Sequence, residues 1–311
     1  MKRRLFAALA LLACFHTACF PADLPDYIRY AENPRSARLE IAIRTVTMPS
    51  GQTVDLIGVV HIADAAYYEQ LNQRFDSYDS VLFELVGDPR ALTQSSPQLQ
   101  AQQPPGSGLS FIQQAAGKHL NLSFQLGAID YTKKNMVHAD ATREEFARME
   151  QENGENMLTL FVSAMQAQMN SENRKAMREL DTFALIRILM SPDSAMEFKK
   201  ALAKTFDQME SLTAAMEGPK GSAILSGRNE IVLKKVREVL ANRKQRRIAV
   251  FYGGAHMPGI ELRLIKDLNA KVAGEEWLVA WTMPKGDIPH FPAERAKGDV
   301  PASGASPFAR K

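Results

Sequence analysis

Beyond residue 22 the chain has no cysteine: both, Cys14 and Cys19, fall in the first 22 residues. The body of the protein can form neither a disulfide nor a thiol nucleophile, which excludes a disulfide scaffold and Cys-based catalysis. No run of about 18 apolar residues occurs, so no segment reads as a membrane-spanning helix. Charge of one sign is also lacking. Lys2, Arg3 and Arg4 account for the whole net charge of +3, and the rest balances at 35 basic to 35 acidic residues. No basic stripe with interleaved aromatics appears, so nucleic acid is not an expected partner. A His-Glu-x-x-His pattern is absent as well, which sets the chain apart from zincins.

What is present begins with an export leader. Lys2-Arg3-Arg4 forms a charged n-region and Leu5 to Ala13 a short apolar core. Cleavage is expected near Ala18 or Ala22, which makes residues 1–22 a signal peptide. Cys19 offers a second route, acylation and a membrane tether. The expected location is the periplasm, or the outer membrane if Cys19 is lipidated.

Hydrophobic residues make up 45% and charged residues 23% of the 311, enough for one large globular unit. Residues 23–38 read as a connector. Leu39 to Ile43 and Val54 to Val60 then suggest a hairpin about Pro49-Ser50-Gly51. A helix over 64–75, with Ala66, Tyr67, Leu71 and Phe75 on one face, leads to a strand over 80–86. This strand–helix–strand order predicts parallel pairing. Residues 91–108 read as a loop or lid, and a mostly helical insert is expected over about 109–246. Within it, Thr142 and Glu145 have capping-box spacing. The helical stretches 157–169, 174–190 and 196–216 are rich in Met, which suits core filler or a flexible apolar groove. A strand ending at His256, a helix over 259–269 and a strand over 276–283 complete the unit. Residues 284–311 read as a disordered Pro/Gly/Ala-rich tail.

Three polar side chains stand just past apolar strands: His61, Glu84 and His256. In α/β sheets, reacting groups gather beyond the carboxyl ends of strands. Gly58 to His61 and Gly253 to His256 share the spacing Gly-x-x-His. A glycine there permits a tight turn or the close approach of a neighbour. Glu84 lies among Leu82, Phe83, Leu85 and Val86, where a carboxylate must be paired or hold a cation; Arg228 is an available ion-pair partner. Two imidazoles and a carboxylate can bind a divalent ion while leaving a position for water. Without an ion, His61 or His256 can serve as general base with Glu84 orienting it. Arg228 can clamp a carboxylate or oxyanion. Asp64 is expected to cap the helix after His61, Tyr252 to lie in the core, and Asp130 and His138 to shape the pocket.

On Gly58-Val59-Val60-His61, the strand Glu84, Arg228-Asn229 and Gly253-Gly254-Ala255-His256, the chain resembles the TraB/GumN family, which includes the Tiki proteins. The resemblance extends over about residues 39–283. It implies an α/β (α+β) fold like that of the erythromycin esterase and ChaN group: a central mixed sheet flanked by helices, with a large helical insertion. For Tiki proteins it implies metal-dependent proteolysis near a membrane. Carried over, His61, Glu84 and His256 become metal ligands or catalytic residues, with Mn, Co or Zn as the ion. The expectation is an exported metal-dependent hydrolase acting on a peptide or small ester, with Arg228 steadying substrate. The alternative is a non-catalytic binding protein that sequesters a peptide or other small ligand.

Overall fold

The computed structural model describes residues 25–93, 122–153, 194–207 and 222–285. The leader with Cys14 and Cys19, most of the loop over 91–108, the Met-rich stretches 157–169 and 174–190, and the tail beyond 285 lie outside these residues.

Strands β1 (Ile28–Glu32), β2 (Ser36–Thr47) and β3 (Thr53–Val59) open the fold. β1 and β3 lie end to end along one edge of β2, both antiparallel to it, in registers that include Ile28↔Ile41 and Ile43↔Ile57. The β2–β3 turn falls at the expected place. Gly51 takes φ 78°, which a side chain would resist, and its N–H donates to the Met48 carbonyl at 2.8 Å. Strand β1 corrects the reading of residues 23–38 as a connector. Only Ile28 of its five residues is buried, as suits a strand at the margin of the sheet.

A short β4 (Ile62–Ala63) and helix α1 (Ala65–Phe75) follow, then β5 (Ser80–Phe83), β6 (Ser123–Phe124) and β7 (Met136–His138). β4 and β6 form a separate antiparallel pair. Helices α2 (Arg143–Asn153), α3 (Ser194–Asp207) and α4 (Arg228–Ala241) precede β8 (Arg247–Gly253), α5 (Met257–Leu268) and β9 (Lys271–Pro284). The main sheet runs β1-β2-β3-β8-β5-β7, and β9 covers the other edge of β2. β3, β8, β5 and β7 are mutually parallel; β1, β2 and β9 pair antiparallel. The result is a mixed α/β fold with a central sheet and helices.

The sheet sorts its side chains by the two-residue period of a strand. Ile57, Val81, Phe83 and Phe251 face one apolar layer with Tyr67, Leu71 and Phe75 of α1 and Ala203 of α3. Leu56, Leu82 and Val250 face the other, with Val232 and Val236 of α4 and Ile260 and Leu264 of α5. Each such fully buried side chain contributes about 1.5–3 kcal/mol.

Three expectations need correction. β3 and β5 are parallel as predicted but not adjacent, because β8 lies between them. Tyr68 rather than Ala66 is on the buried face of α1; its hydroxyl donates to the Val60 carbonyl at 2.8 Å. Strand β5 stops at Phe83, three residues short, where the chain turns toward Gly87 at φ 135°. The span 109–246, read as mostly helical, also contributes β7 to the central sheet, a strand that the sequence reading did not place. The capping box is present: Thr142 Oγ1 accepts from Glu145 N–H at 3.1 Å, and Glu145 accepts from Thr142 N–H at 2.9 Å. Among the described residues, no helix is long and apolar enough to cross a membrane.

Candidate active site

The parallel strands end together. Val59 of β3 is opposite Gly253 of β8, and Phe83 of β5 is opposite both Phe251 and His138. The residues just beyond these ends are His61, His256, Glu84 and Asp140. α4 begins at Arg228 on the α4–α5 face and sends its guanidinium to the same edge.

Arg228 is the hub. Its Nε donates to Asp140 Oδ1 at 2.9 Å and its Nη2 to Asp140 Oδ2 at 2.6 Å, a two-pronged grip. Nη2 also donates to Glu84 Oε1 at 2.6 Å. Nη1 reaches to 3.5 Å from His256 Nε2. The side chain of Asp140 is 0% exposed and those of Arg228 and Glu84 about a tenth exposed, so these charges sit largely out of water. The pairing of Glu84 with Arg228 was one of the two readings its apolar surroundings allowed.

Glu84 stays ionised. Burial opposes its charge, but His256, Arg228 and His61, together with the Gly253 N–H donating to Oε2, outweigh burial and hold its carboxyl down to about 2. The donation from Gly253 explains one glycine of the Gly-x-x-His spacing: a Cβ there would lie 3.3 Å from Glu84 Oε2. Gly254 is more constrained, since a Cβ on it would meet Ile28 Cγ1 of β1 at 2.7 Å. Burial pushes the His256 imidazole down to about 4 against the upward pull of Glu84, so it is neutral at pH 7.

The two imidazoles are held alike. Asn229 Oδ1 lies 2.8 Å from His256 Nδ1, and Gln125 Oε1 lies 2.8 Å from His61 Nδ1. Gln125 Nε2 donates to the Tyr131 hydroxyl at 3.0 Å, which turns its oxygen toward His61. Both carboxamides therefore assign the ring proton to Nδ1 and leave a bare lone pair on Nε2. They differ in access: His256 is 4% exposed, whereas His61 is open to solvent. His61 follows the end of β3, next to β8, and is near enough to influence both Glu84 and His256 electrostatically.

Other expected residues divide. Tyr252 is in the core as expected, its hydroxyl donating to the Ala139 carbonyl and its ring edge-on to His256. Asp64 does not cap α1. Its carboxylate accepts from Lys199 Nζ and the Thr282 N–H, both at 2.7 Å, and so ties α3 and β9 together. Asp130 binds its own turn through the Thr132 N–H at 2.9 Å. His138 donates to or accepts from nothing at the centre; its Nε2 lies 2.7 Å from the Leu85 carbonyl. It does line a cavity of about 480 Å³ beside the strand ends, with Gly87, Asp88, Arg90, Thr142 and Arg143.

Asp140, Gln125 and Tyr131 were not singled out from the sequence as parts of the site. Asp140 follows a strand of only three residues, too short for an apolar run to announce it. Gln125 opens a helix of only four residues and Tyr131 lies in a turn, neither long enough for periodicity, and only the fold brings them to His61.

The donor chemistry of His61, Glu84 and His256 suits Mn, Co or Zn, and anchored Nδ1–H groups are usual among metal-binding imidazoles. The placement does not fit an ion: among the described residues no three His, Asp or Glu side chains converge on one point, and the Arg228 cation lies against two of the three donors.

The fold and site together define a mixed α/β protein with a charged centre of two imidazoles at the carboxyl edge of its parallel strands. No family model matches the chain, and no curated protein matches it.

Proposed function

We propose that this chain is an exported hydrolase that cleaves a peptide or small ester bond at the carboxyl edge of β3, β8 and β5. The observation that supports this most is the pair of imidazoles, each with Nδ1–H anchored on a carboxamide and its lone pair on Nε2, near an ionised Glu84. In this reading His61, the solvent-reachable ring, takes a proton at Nε2 from the water that attacks the carbonyl carbon, and returns it to the departing amine or alcohol as the scissile bond breaks. The negative charge of Glu84 favours the imidazolium that results. Arg228 Nη1, the guanidinium nitrogen without a carboxylate partner among the described residues, donates to the substrate oxygen as charge develops there. Neutral, buried His256 helps hold the Arg228 guanidinium in place, its Nε2 facing Nη1 at 3.5 Å.

The meeting of all four motif residues at one edge supports the resemblance to the TraB/GumN family. Export rests on the leader in residues 1–22, with Cys19 as the tether if it is acylated.

The test is hydrolysis of a panel of fluorogenic peptides and 4-nitrophenyl esters by the wild type and a folded Glu84→Gln variant. Turnover lost in the variant while substrate is still bound supports the hydrolase. Tight binding by the wild type without turnover of any bound member would replace it with a sequestering protein.

A further inference from the structure

We propose that Arg228 stands where a divalent ion would otherwise sit, as a built-in cation bridging Glu84 and His256. Glu84 Oε1 and His256 Nε2 are 3.7 Å apart. A tetrahedral ion with bonds of 2.0–2.2 Å spaces two donors by about 3.4 Å, close to this separation. The guanidinium fork spans the same two atoms, Nη2 on Oε1 at 2.6 Å and Nη1 facing Nε2 at 3.5 Å. The lone pair of Nε2 points at the cation because Asn229 holds the proton on the far nitrogen.

Asp140 makes the arrangement permanent. Its bidentate grip on Nε and Nη2, with the Ala141 N–H donating to Oδ1 at 2.7 Å, fixes the guanidinium from behind. Arg228 therefore cannot leave without stranding a fully buried carboxylate. An incoming ion would meet a like charge where it needs a ligand. The sequence motif that looks like a metal site is in this account already satisfied by an arginine. The inference shares its residues with the hydrolase reading, but it is read by metal content, so either can fail alone.

The experiment compares wild type, Arg228→Ala, and Arg228→Ala with Asp140→Asn, the last removing the carboxylate that the first would strand. Each is dialysed against Co(II), and separately Mn(II) and Zn(II), then freed of loose ion. Bound metal is counted by mass spectrometry and Tm is measured with and without ion. The expected result is no retained ion and no Tm shift for the wild type. The arginine variants are expected to hold about one ion per chain with a raised Tm, and to lose both when His256→Ala is added. A variant that folds only with ion present gives the same answer. A wild type that retains about one ion per chain, lost in His61→Ala or His256→Ala, would overturn the proposal. So would failure of the folded double variant to bind any of the three ions.

Discussion

His61 and His256 leave their strands after the same Gly-x-x spacing and are anchored by the same kind of group, yet they stand in opposite surroundings. His256 is buried against the start of α4, among Glu84, Arg228 and Asp140. His61 stands in the open on the small β4–β6 pair, with Gln125 and Tyr131 behind it. The two strands are alike in their carboxyl ends, and the difference comes from what covers those ends. β8 is central and its end is closed over by Ile28, whereas the chain after β3 turns outward into β4. Local sequence thus sets the direction of each ring, and the neighbouring layer sets its access to solvent. A buried neutral ring paired with an exposed one gives a single site both a fixed acceptor and a ring that can exchange protons with solvent.

The comparison breaks hardest at Asp140. Asp140→Ala leaves Arg228 with half its partners in a site that water barely enters, and is expected to cost about 3–5 kcal/mol by urea unfolding. Acid separates the two surroundings next. The His256 ring, held at about 4 rather than 6.5, refuses a proton that the unfolded chain accepts. Stability should therefore fall as pH drops from 6.5 toward 4, by up to about 3 kcal/mol. The Glu84 contribution, present above 4.5, is lost only as pH falls from there toward 2. Urea midpoints at pH 6.5 and 4.5 should differ less in His256→Gln than in the wild type; an unchanged difference would contradict the buried neutral ring.

The two carboxamides provide a finer contrast. Asn229→Ala strands a buried ring N–H and should cost about 1–3 kcal/mol, whereas Gln125→Ala frees a ring that water can reach and should cost about 1 kcal/mol. Either should lower turnover at least tenfold if both rings work in one tautomer, a kinetic effect unrelated to the difference in stability. The smallest expected effect is at α1. Tyr68→Phe removes the donor to the Val60 carbonyl just before His61 and should cost about 1 kcal/mol, while Ala66→Ser on the exposed face should stay within about 0.5 kcal/mol.

These contrasts also show which features were legible in the chain. His61, Glu84 and His256 could be read because each follows an apolar run long enough to mark a strand, and Thr142 because its capping partner is three residues away. The insertion of β8 between β3 and β5 could not be read, since nothing local records which strand a distant segment will pair with. Asp140 escaped because β7 is short and its partner Arg228 is 88 residues away. Asp64 was misassigned for a related reason: its local role as a cap was outcompeted by Lys199 and Thr282, which only tertiary folding supplies. The Met-rich stretches and the terminal tail fall largely outside the described residues.

The contact of Ile28 with Gly254 also has a consequence in time. A ribosome makes Ile28 long before Gly254, and Tyr27 long before Glu261, to which its hydroxyl donates at 2.6 Å. The first strand can therefore close over the His256 turn only after nearly the whole chain has been made. The wall that covers the His256 turn is thus among the first parts made, and the turn it covers among the last. Until residue 261 has been made, the chain holds one wall of this edge and waits for the turn it will cover.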